Sequence, residues 1–249
     1  MEKLTSRKNE YIRALRRLSA EAQFRAERSE YICDGIKTLN EALNFGADVT
    51  SVLWKERAQP VPGLSCAVQY AAGEELFDYA SPMKNSPGPL FTVKIPSEDT
   101  AAPIRRAIVL ESVQDPGNVG TVIRTANAFG IDAVILTGNC ADLYNPKTVR
   151  ATMGAIFRQR VLCRGVDELM PLLAENGLAL YGAALSVRAA DIRRVDVKNA
   201  AVAIGSEGSG LSAALLALCR GEVIIPMRPD SESLNAGVAA SVVMWEMAR

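Results

Sequence analysis

Histidine is absent from all 249 residues. That absence removes Ser-His-Asp and Cys-His catalysis and most zinc enzymology. Net charge is absent too, because 28 lysines and arginines balance 28 aspartates and glutamates. No global field draws in nucleic acid, so any such binding needs a local basic patch. Only five cysteines occur, at Cys33, Cys66, Cys140, Cys163 and Cys219. Their number is odd and no two lie close in sequence, which speaks against a disulfide framework or a metal site and for reduced thiols in a cytoplasmic protein. Long apolar runs are missing: nothing approaches the roughly 20 residues of a membrane span. The N-terminus is charged from Glu2 onward and lacks the apolar stretch of a secretory signal. No metal and no membrane partner are therefore expected.

What is present suits one large domain or two small ones. The first 30 residues carry eight positive charges, Lys3, Arg7, Lys8, Arg13, Arg16, Arg17, Arg25 and Arg28, against five glutamates. Such a run is either a solvated helix face or a grip for nucleic acid. Residues 1 to about 45 read as helical, with Leu4, Tyr11, Ile12, Leu15 and Leu18 at helical spacing and "EYIC" (30–33) as a short strand. Strand-like runs follow in "VTSVLW", "LSCAVQY" and "LFTVKI", and the Pro/Gly-rich "SPMKNSPGPL" (81–90) reads as a loop. "PSEDTAAP" (96–103) has no apolar period and is expected to link an N-terminal domain, 1–97, to a second domain, 104–249. From residue 104, apolar runs alternate with helical stretches, which predicts a parallel sheet covered by helices on both faces.

Three stretches of the second domain carry chemistry. "ESVQDPGNVGTVIRTANAFG" (111–130) follows the strand "RAIVL". Asp115-Pro116-Gly117-Asn118 is turn chemistry, Asn118 is the expected N-cap of the next helix, and Gly130 is its expected stop. By itself this is an ordinary strand-to-helix turn in which Arg124 is an exposed charge. "IGSEGSGLS" (204–212) resembles a phosphate loop but lacks the lysine of a Walker A motif and has the wrong glycine order for a Rossmann fingerprint. It also follows the penultimate strand, whereas a dinucleotide loop follows the first, and the carboxylate of Glu207 would repel a pyrophosphate. "IIPMRPDSESLNAGVAASVVMW" (224–245) ends a strand at Pro226 and begins a helix rich in small residues. There Ser233 and Asn235 stand at a helix N-terminus, where anions bind well; tight helix packing accounts for the small residues equally well.

Taken together, "NVGTVIRTANAFG", "IGSEGSGLS" and "IPM…SLNAGVAASV" resemble, in order and spacing, the three motifs of the SpoU (TrmH) family of RNA 2′-O-ribose methyltransferases. The resemblance covers about residues 105–249, and "KTVRATMGAIFR" (147–158) is similar to the family's helix between motifs one and two. The N-terminal part is more loosely similar to the small α/β RNA-binding domain that many members carry. The resemblance implies an α/β fold: a parallel sheet with a C-terminal deep trefoil knot, preceded by a small α/β domain. It implies S-adenosylmethionine as cofactor, held by Ala183, Gly205, Ile225, Met227 and Leu234, with "YGAALS" (181–186) as a further wall. This cofactor carries a sulfonium cation and no phosphate, so Glu207 is no longer an objection. The acceptor would be a ribose 2′-hydroxyl, in ribosomal RNA rather than transfer RNA. The alternatives are a tRNA enzyme and a catalytically silent RNA-binding protein of the same fold.

The resemblance makes Arg124 the catalytic candidate, with Asn118, Glu207, Ser233 and Asn235 shaping the site. A protonated arginine cannot accept a proton. Arg124 would therefore be deprotonated by its surroundings or, as we favour, bind the adjacent phosphate and stabilise the developing oxyanion. The resemblance further implies a homodimer through the knot region, in which motif one of one subunit completes the site of the other. It also implies an RNA grip by Lys3, Arg7, Lys8, Arg13, Arg16 and Arg17, with Arg25 an additional candidate.

Overall fold

A computed structural model describes residues 1–58, 61, 64, 68–98, 102–228, 230 and 233–249. Ser65, Cys66 and Ala67 of the expected strand "LSCAVQY", part of the expected linker and part of the 226–233 loop lie outside the described residues. The elements run β1 (Glu2–Leu4), α1 (Glu10–Ala20), α2 (Ala22–Arg28), β2 (Glu30–Asp34), α3 (Ile36–Asn44), β3 (Val49–Lys55), β4 (Val68–Ala72), α4 (Glu74–Ala80), β5 (Leu90–Lys94), β6 (Ala107–Glu111), α5 (Pro116–Phe129), β7 (Ala133–Thr137), α6 (Pro146–Ala151), β8 (Val161–Cys163), α7 (Val166–Glu175), β9 (Ala179–Ala183), β10 (Ala190–Asp191), β11 (Ala200–Ile204), α8 (Ala213–Leu218), β12 (Gly221–Ile224) and α9 (Ala236–Ala248).

The chain divides into two compact units. The first comprises residues 1–97 together with 142–157, and the second comprises 98–141 and 158–249. The first unit is built on a five-stranded mixed sheet in the order β1-β4-β3-β5-β2. Helix α1 starts where the Asn9 side chain accepts the backbone N–H of Tyr11 at 2.9 Å. It buries Ile12, Leu15 and Leu18, which pack with Ile32, Leu53, Phe77 and Leu90 in one core cluster. A second cluster joins Trp54, Phe91 and Leu39 to Val149, Tyr144 and Ile156. The stretch 142–157 thus leaves the second unit's sheet and donates apolar side chains to the first unit's core. The helix expected near 146–155 stops at Ala151, because Met153 and Gly154 take positive φ values of 50° and 87°.

The second unit carries seven strands in the order β10-β12-β9-β11-β6-β7-β8, with every pairing parallel. The central strands β6, β7 and β11 are buried along their whole length, as a sheet covered on both faces requires. Strands β9, β11 and β12 end beside the stretches 184–188, 205–211 and 225–235. This is the carboxyl-end rim where open parallel sheets place their ligands.

Candidate active site

Each of the three motifs is set by local chemistry. The start of α5 differs from expectation: Asp115 is the N-cap, its side chain accepting the Asn118 N–H at 2.8 Å, with Pro116 in the first turn. Asn118 therefore lies one turn inside, and its own amide is released for another partner. That partner is Glu207, whose Oε1 accepts a hydrogen bond from Asn118 Nδ2. Gly130 ends α5 in the left-handed region at φ 64°.

The loop between β11 and α8 is closed on itself. The Gly210 N–H donates to Ser206 O at 2.9 Å, and the Ser206 and Ser209 hydroxyls are 2.8 Å apart. A Cβ on Gly205 would overlap the carbonyl of Gly210 and the nitrogen of Leu211, so only glycine fits there. The far end of the loop is fixed by Glu111, at the end of β6 and only 6% exposed. Its carboxylate accepts the backbone N–H of Ser212 at 2.7 Å and the Ser212 hydroxyl at 2.6 Å. The same hydroxyl oxygen accepts from Leu215 N–H at 3.1 Å as the cap of α8.

Asn235 caps α9 through a 3.2 Å bond from Val238 N–H. A Cβ at Gly237 would stand 3.2 Å from both Asn118 Oδ1 and Asn235 Oδ1. That glycine therefore lets α9 approach α5 closely enough to bring the two asparagines together. Ser241 Oγ lies 3.5 Å from Thr125 Oγ1 along the same helix pair.

These stretches enclose a cavity of about 540 Å³, within the range of about 300–1,000 Å³ usual for small-molecule sites. It is lined by residues 183–186, 188, 204–211, 216, 222–225, 227, 233, 234, 236 and 239. Ala183, Gly205, Glu207, Ile225, Met227, Ser233 and Leu234 all line it. Asn118 joins through Glu207 and Asn235 through its contact at Gly237. Arg124 does not line the cavity: it is exposed on α5 and has no hydrogen bond or ion pair among the described residues.

The cavity wall suits a cation. It carries Glu207, which has no cationic partner among the described residues, and the ion pair of Arg188 with Glu222 at 3.0 Å, whose charges cancel. No cluster of basic side chains stands ready for a polyphosphate. Among the described residues no group of three or more His, Cys, Asp or Glu side chains converges as a metal site would. Burial pushes the Cys219 thiol, behind Gly182 of β9, up to about 11, with Glu222 and Glu111 adding to the shift. This leaves it protonated and unreactive at neutral pH.

Glu111, Arg188 and Glu222 were not assigned from the sequence. Glu111 offered one usable signal, a carboxylate closing an otherwise fully apolar strand, which demands a partner. The partner lies 101 residues away.

The N-terminal cations separate into paired and unpaired. Arg25 is not available to RNA: it is 3% exposed, with its guanidinium donating to Asp142 and, at 2.6 Å, to Leu18 O. Lys3 pairs with Glu56, and Arg17 pairs with Glu21 at 2.8 Å. Arg7, Lys8, Arg13 and Arg16 are exposed and meet no carboxylate among the described residues.

Residues 105–245 match the model of the SpoU rRNA Methylase family. The chain is 30% identical over 248 residues, 99% of each chain, to the 23S rRNA (guanosine(2553)-2′-O)-methyltransferase RlmP of Bacillus subtilis strain 168. It superposes on the SpoU methyltransferase AviRb of Streptomyces viridochromogenes with a TM-score of 0.87 at 26% identity, covering 96% of both chains. The complex of that protein with the cofactor AdoMet gives 0.86 at 24% identity, covering 96% of this chain and 98% of that one. Fold, motif order and full-length similarity agree, and the chain belongs to the SpoU rRNA methylase family.

Proposed function

We propose that this chain is an S-adenosylmethionine-dependent methyltransferase acting on a ribose 2′-hydroxyl of ribosomal RNA. The observation that carries the reading is the cavity at the carboxyl-end rim, where Gly205, Glu207, Ile225, Met227, Ser233 and Leu234 converge. Its fit to S-adenosylmethionine rests on size, on the one uncompensated carboxylate of Glu207 in a wall without a free basic group, and on a loop that admits no Cβ at Gly205. The full-length similarity to a 23S rRNA 2′-O-methyltransferase supports ribosomal RNA as the substrate.

When bound, this cofactor supplies an electrophilic methyl group. Backbone groups of Gly205, Ile225 and Met227, with Ala183 and Leu234, would hold its adenosyl part. Glu207, hydrogen-bonded by Asn118, would set a negative charge in the wall of the cavity. Ser233 and Asn235, at the start of α9, bound the space left for the ribose. Closing a 2′-hydroxyl against the methyl donor converts a bimolecular encounter into an aligned one.

Arg124 acts from the partner subunit of a homodimer, binding the phosphate next to the target ribose and stabilising the oxyanion as it develops. Two features support this arrangement. Arg124 is exposed and outside its own cavity. Helix α9 leaves Val238, Val242 and Trp245 exposed at 49%, 38% and 58%, a stripe at i, i+4 and i+7 that a second copy would cover. We place the knotted path of the family at the loops near residues 183–187 and 205–211 and the loop after Ile225, and the protein in the cytoplasm with its RNA. No helix of the described residues is long and apolar enough to cross a membrane.

The deciding experiment is methyl transfer from labelled S-adenosylmethionine to 23S rRNA by wild type and by Arg124→Lys and Arg124→Ala. Both variants should bind cofactor normally and lose about 10²–10³ in turnover, the cost of removing one oxyanion donor. A point charge lacks the bidentate fork, so lysine should not rescue. Wild-type turnover in Arg124→Ala would remove the assignment.

A further inference from the structure

Four cation–π contacts occur among the described residues, and all four fall in the first unit: Arg7 and Arg16 on Tyr79, Arg17 on Phe24 and Lys55 on Phe77. The ordinary frequency is about one per 70–80 residues, which predicts one or two in a unit of this size. The excess has a focus, because two of the four share one ring. The Arg7 guanidinium carbon lies 4.7 Å and the Arg16 guanidinium carbon 4.6 Å from the Tyr79 ring centroid.

Arg16 is further fixed by Nη1, which donates to the Tyr79 carbonyl at 2.8 Å. Neither guanidinium meets a carboxylate among the described residues, whereas Lys3, Arg17 and Arg25 each do. Arg13 stands one turn before Arg16 on α1 and is exposed, as Lys8 is beside Arg7. Two like charges are thus held against one ring with no countercharge to relieve them. Holding them costs free energy that an external anion would recover.

We propose that Tyr79, Arg7 and Arg16 form a clamp for an unpaired RNA segment, with Arg7 and Arg16 taking consecutive phosphates and a guanidinium face, backed by the Tyr79 ring, stacking an unpaired base. A guanidinium stacked on an aromatic ring keeps its N–H edge free for bidentate phosphate binding, while its exposed face accepts a base. Arg13 extends the positive edge along α1. The clamp rests on the RNA reading above and adds two things to it: Tyr79 as a binding residue, and unpaired rather than duplex RNA as the form recognised. Two cations against one aromatic ring fit a splayed single strand, since unpaired bases expose the faces that stack.

The test uses the full chain and a labelled single-stranded RNA of about 16 nucleotides, with affinity measured across a salt series. Arg7→Gln and Arg16→Gln should each weaken binding and flatten the slope of log K against log salt by about 0.7, the share of one single-strand phosphate contact. Arg7 is exposed, so its replacement leaves packing intact. Tyr79→Leu should weaken binding about tenfold, within the range for one stacked base, while Tyr79→Phe, which keeps the ring, should bind as wild type does. Lys3→Gln and Arg17→Gln remove cations already paired and should change the slope much less. A duplex of the same sequence should bind more weakly and be insensitive to Tyr79→Leu.

If the wild type binds RNA and Arg7→Gln, Arg16→Gln and Tyr79→Leu all match it in affinity and slope, the clamp is wrong and the RNA reading stands. Equal sensitivity of duplex and single strand to Tyr79→Leu would overturn the preference for unpaired RNA. A wild type that binds no RNA would overturn both the clamp and the reading beneath it.

Discussion

The carboxylate of Glu111 takes two hydrogen bonds from one residue, the N–H of Ser212 at 2.7 Å and its hydroxyl at 2.6 Å. The pair ties the end of β6 to the start of α8, and so fixes the loop that presents Glu207. Glu111→Gln offers an NH₂ group where Ser212 needs an acceptor. Ser212 is exposed, so what is lost is one hydrogen bond to a charged acceptor, worth about 1.5–3 kcal/mol. We expect that loss in chemical denaturation, together with weaker S-adenosylmethionine binding by calorimetry. Unchanged cofactor affinity would show that the loop holds its shape without this anchor.

Two glycines of the same loop should behave in opposite ways. A Cβ at Gly205 overlaps backbone atoms of Gly210 and Leu211, whereas one at Gly208 meets nothing within 4 Å. Gly205→Ala should destabilise by about 1–3 kcal/mol or more and abolish cofactor binding. Gly208→Ala should be neutral in thermal melting and bind cofactor as wild type does.

The exposed stripe of α9 makes a statement about assembly. Val242→Glu should turn a dimer into a monomer by light scattering, with the melting temperature little changed. If Arg124 works across the interface, mixing inactive Arg124→Ala with inactive Asn235→Ala should restore about a quarter of wild-type activity, because half of randomly assorted dimers carry one intact site. No restoration from stable mixed dimers would place Arg124 in its own subunit's site.

Asp34 in the first unit gives a pH dependence of definite sign. Burial raises its carboxyl above the usual range, outweighing the Ser86 hydroxyl that donates to it at 2.6 Å and the nearby Arg150 and Lys55 charges. The folded state therefore favours the neutral acid. That contribution is present below the ordinary carboxylate pKa and is lost as pH rises through the raised value. Asp34→Asn should raise the melting temperature at pH 7, and the gain should vanish at acid pH. A variant less stable than wild type at pH 7 would contradict this sign.

Burial also sets cysteine reactivity. With its thiol pushed up to about 11, Cys219 should alkylate slowly at pH 8, its rate rising about tenfold per pH unit toward pH 11. Rapid labelling of Cys219 at pH 8 by peptide mapping would be inconsistent with a thiol raised by its half-buried position.

Much of this protein is written locally. The stop at Gly130 and the apolar β6, β7 and β11 follow from turn chemistry and short-range patterning, and the sequence itself carries them. The order and spacing of the three motifs already carried the resemblance to the SpoU family, and the absence of histidine only removed His-based catalysis. Asn118 as the N-cap was misplaced by three residues because Asp115 and Asn118 are both good caps. Only the Pro at the first helical position, with Asp115 directly before it, selects between them.

Other features depend on partners that no local pattern shows. Arg25 looks like its neighbours on the basic face, but Asp142, 117 residues later, buries it. Residues 142–157 read as part of the second domain, but Tyr144, Val149 and Ile156 fill the core of the first unit. Glu111 finds Ser212, and Asn118 finds Glu207, across 101 and 89 residues. The sequence by itself determined most of the second unit's secondary elements, because periodicity and capping act over a few residues, and the order of three motifs along it carried the resemblance to the family. The tertiary structure alone decided which charges are paired, which stay exposed without a carboxylate, and which carboxylate anchors the 205–211 loop. Burial and ion pairing are properties of groups brought together in space.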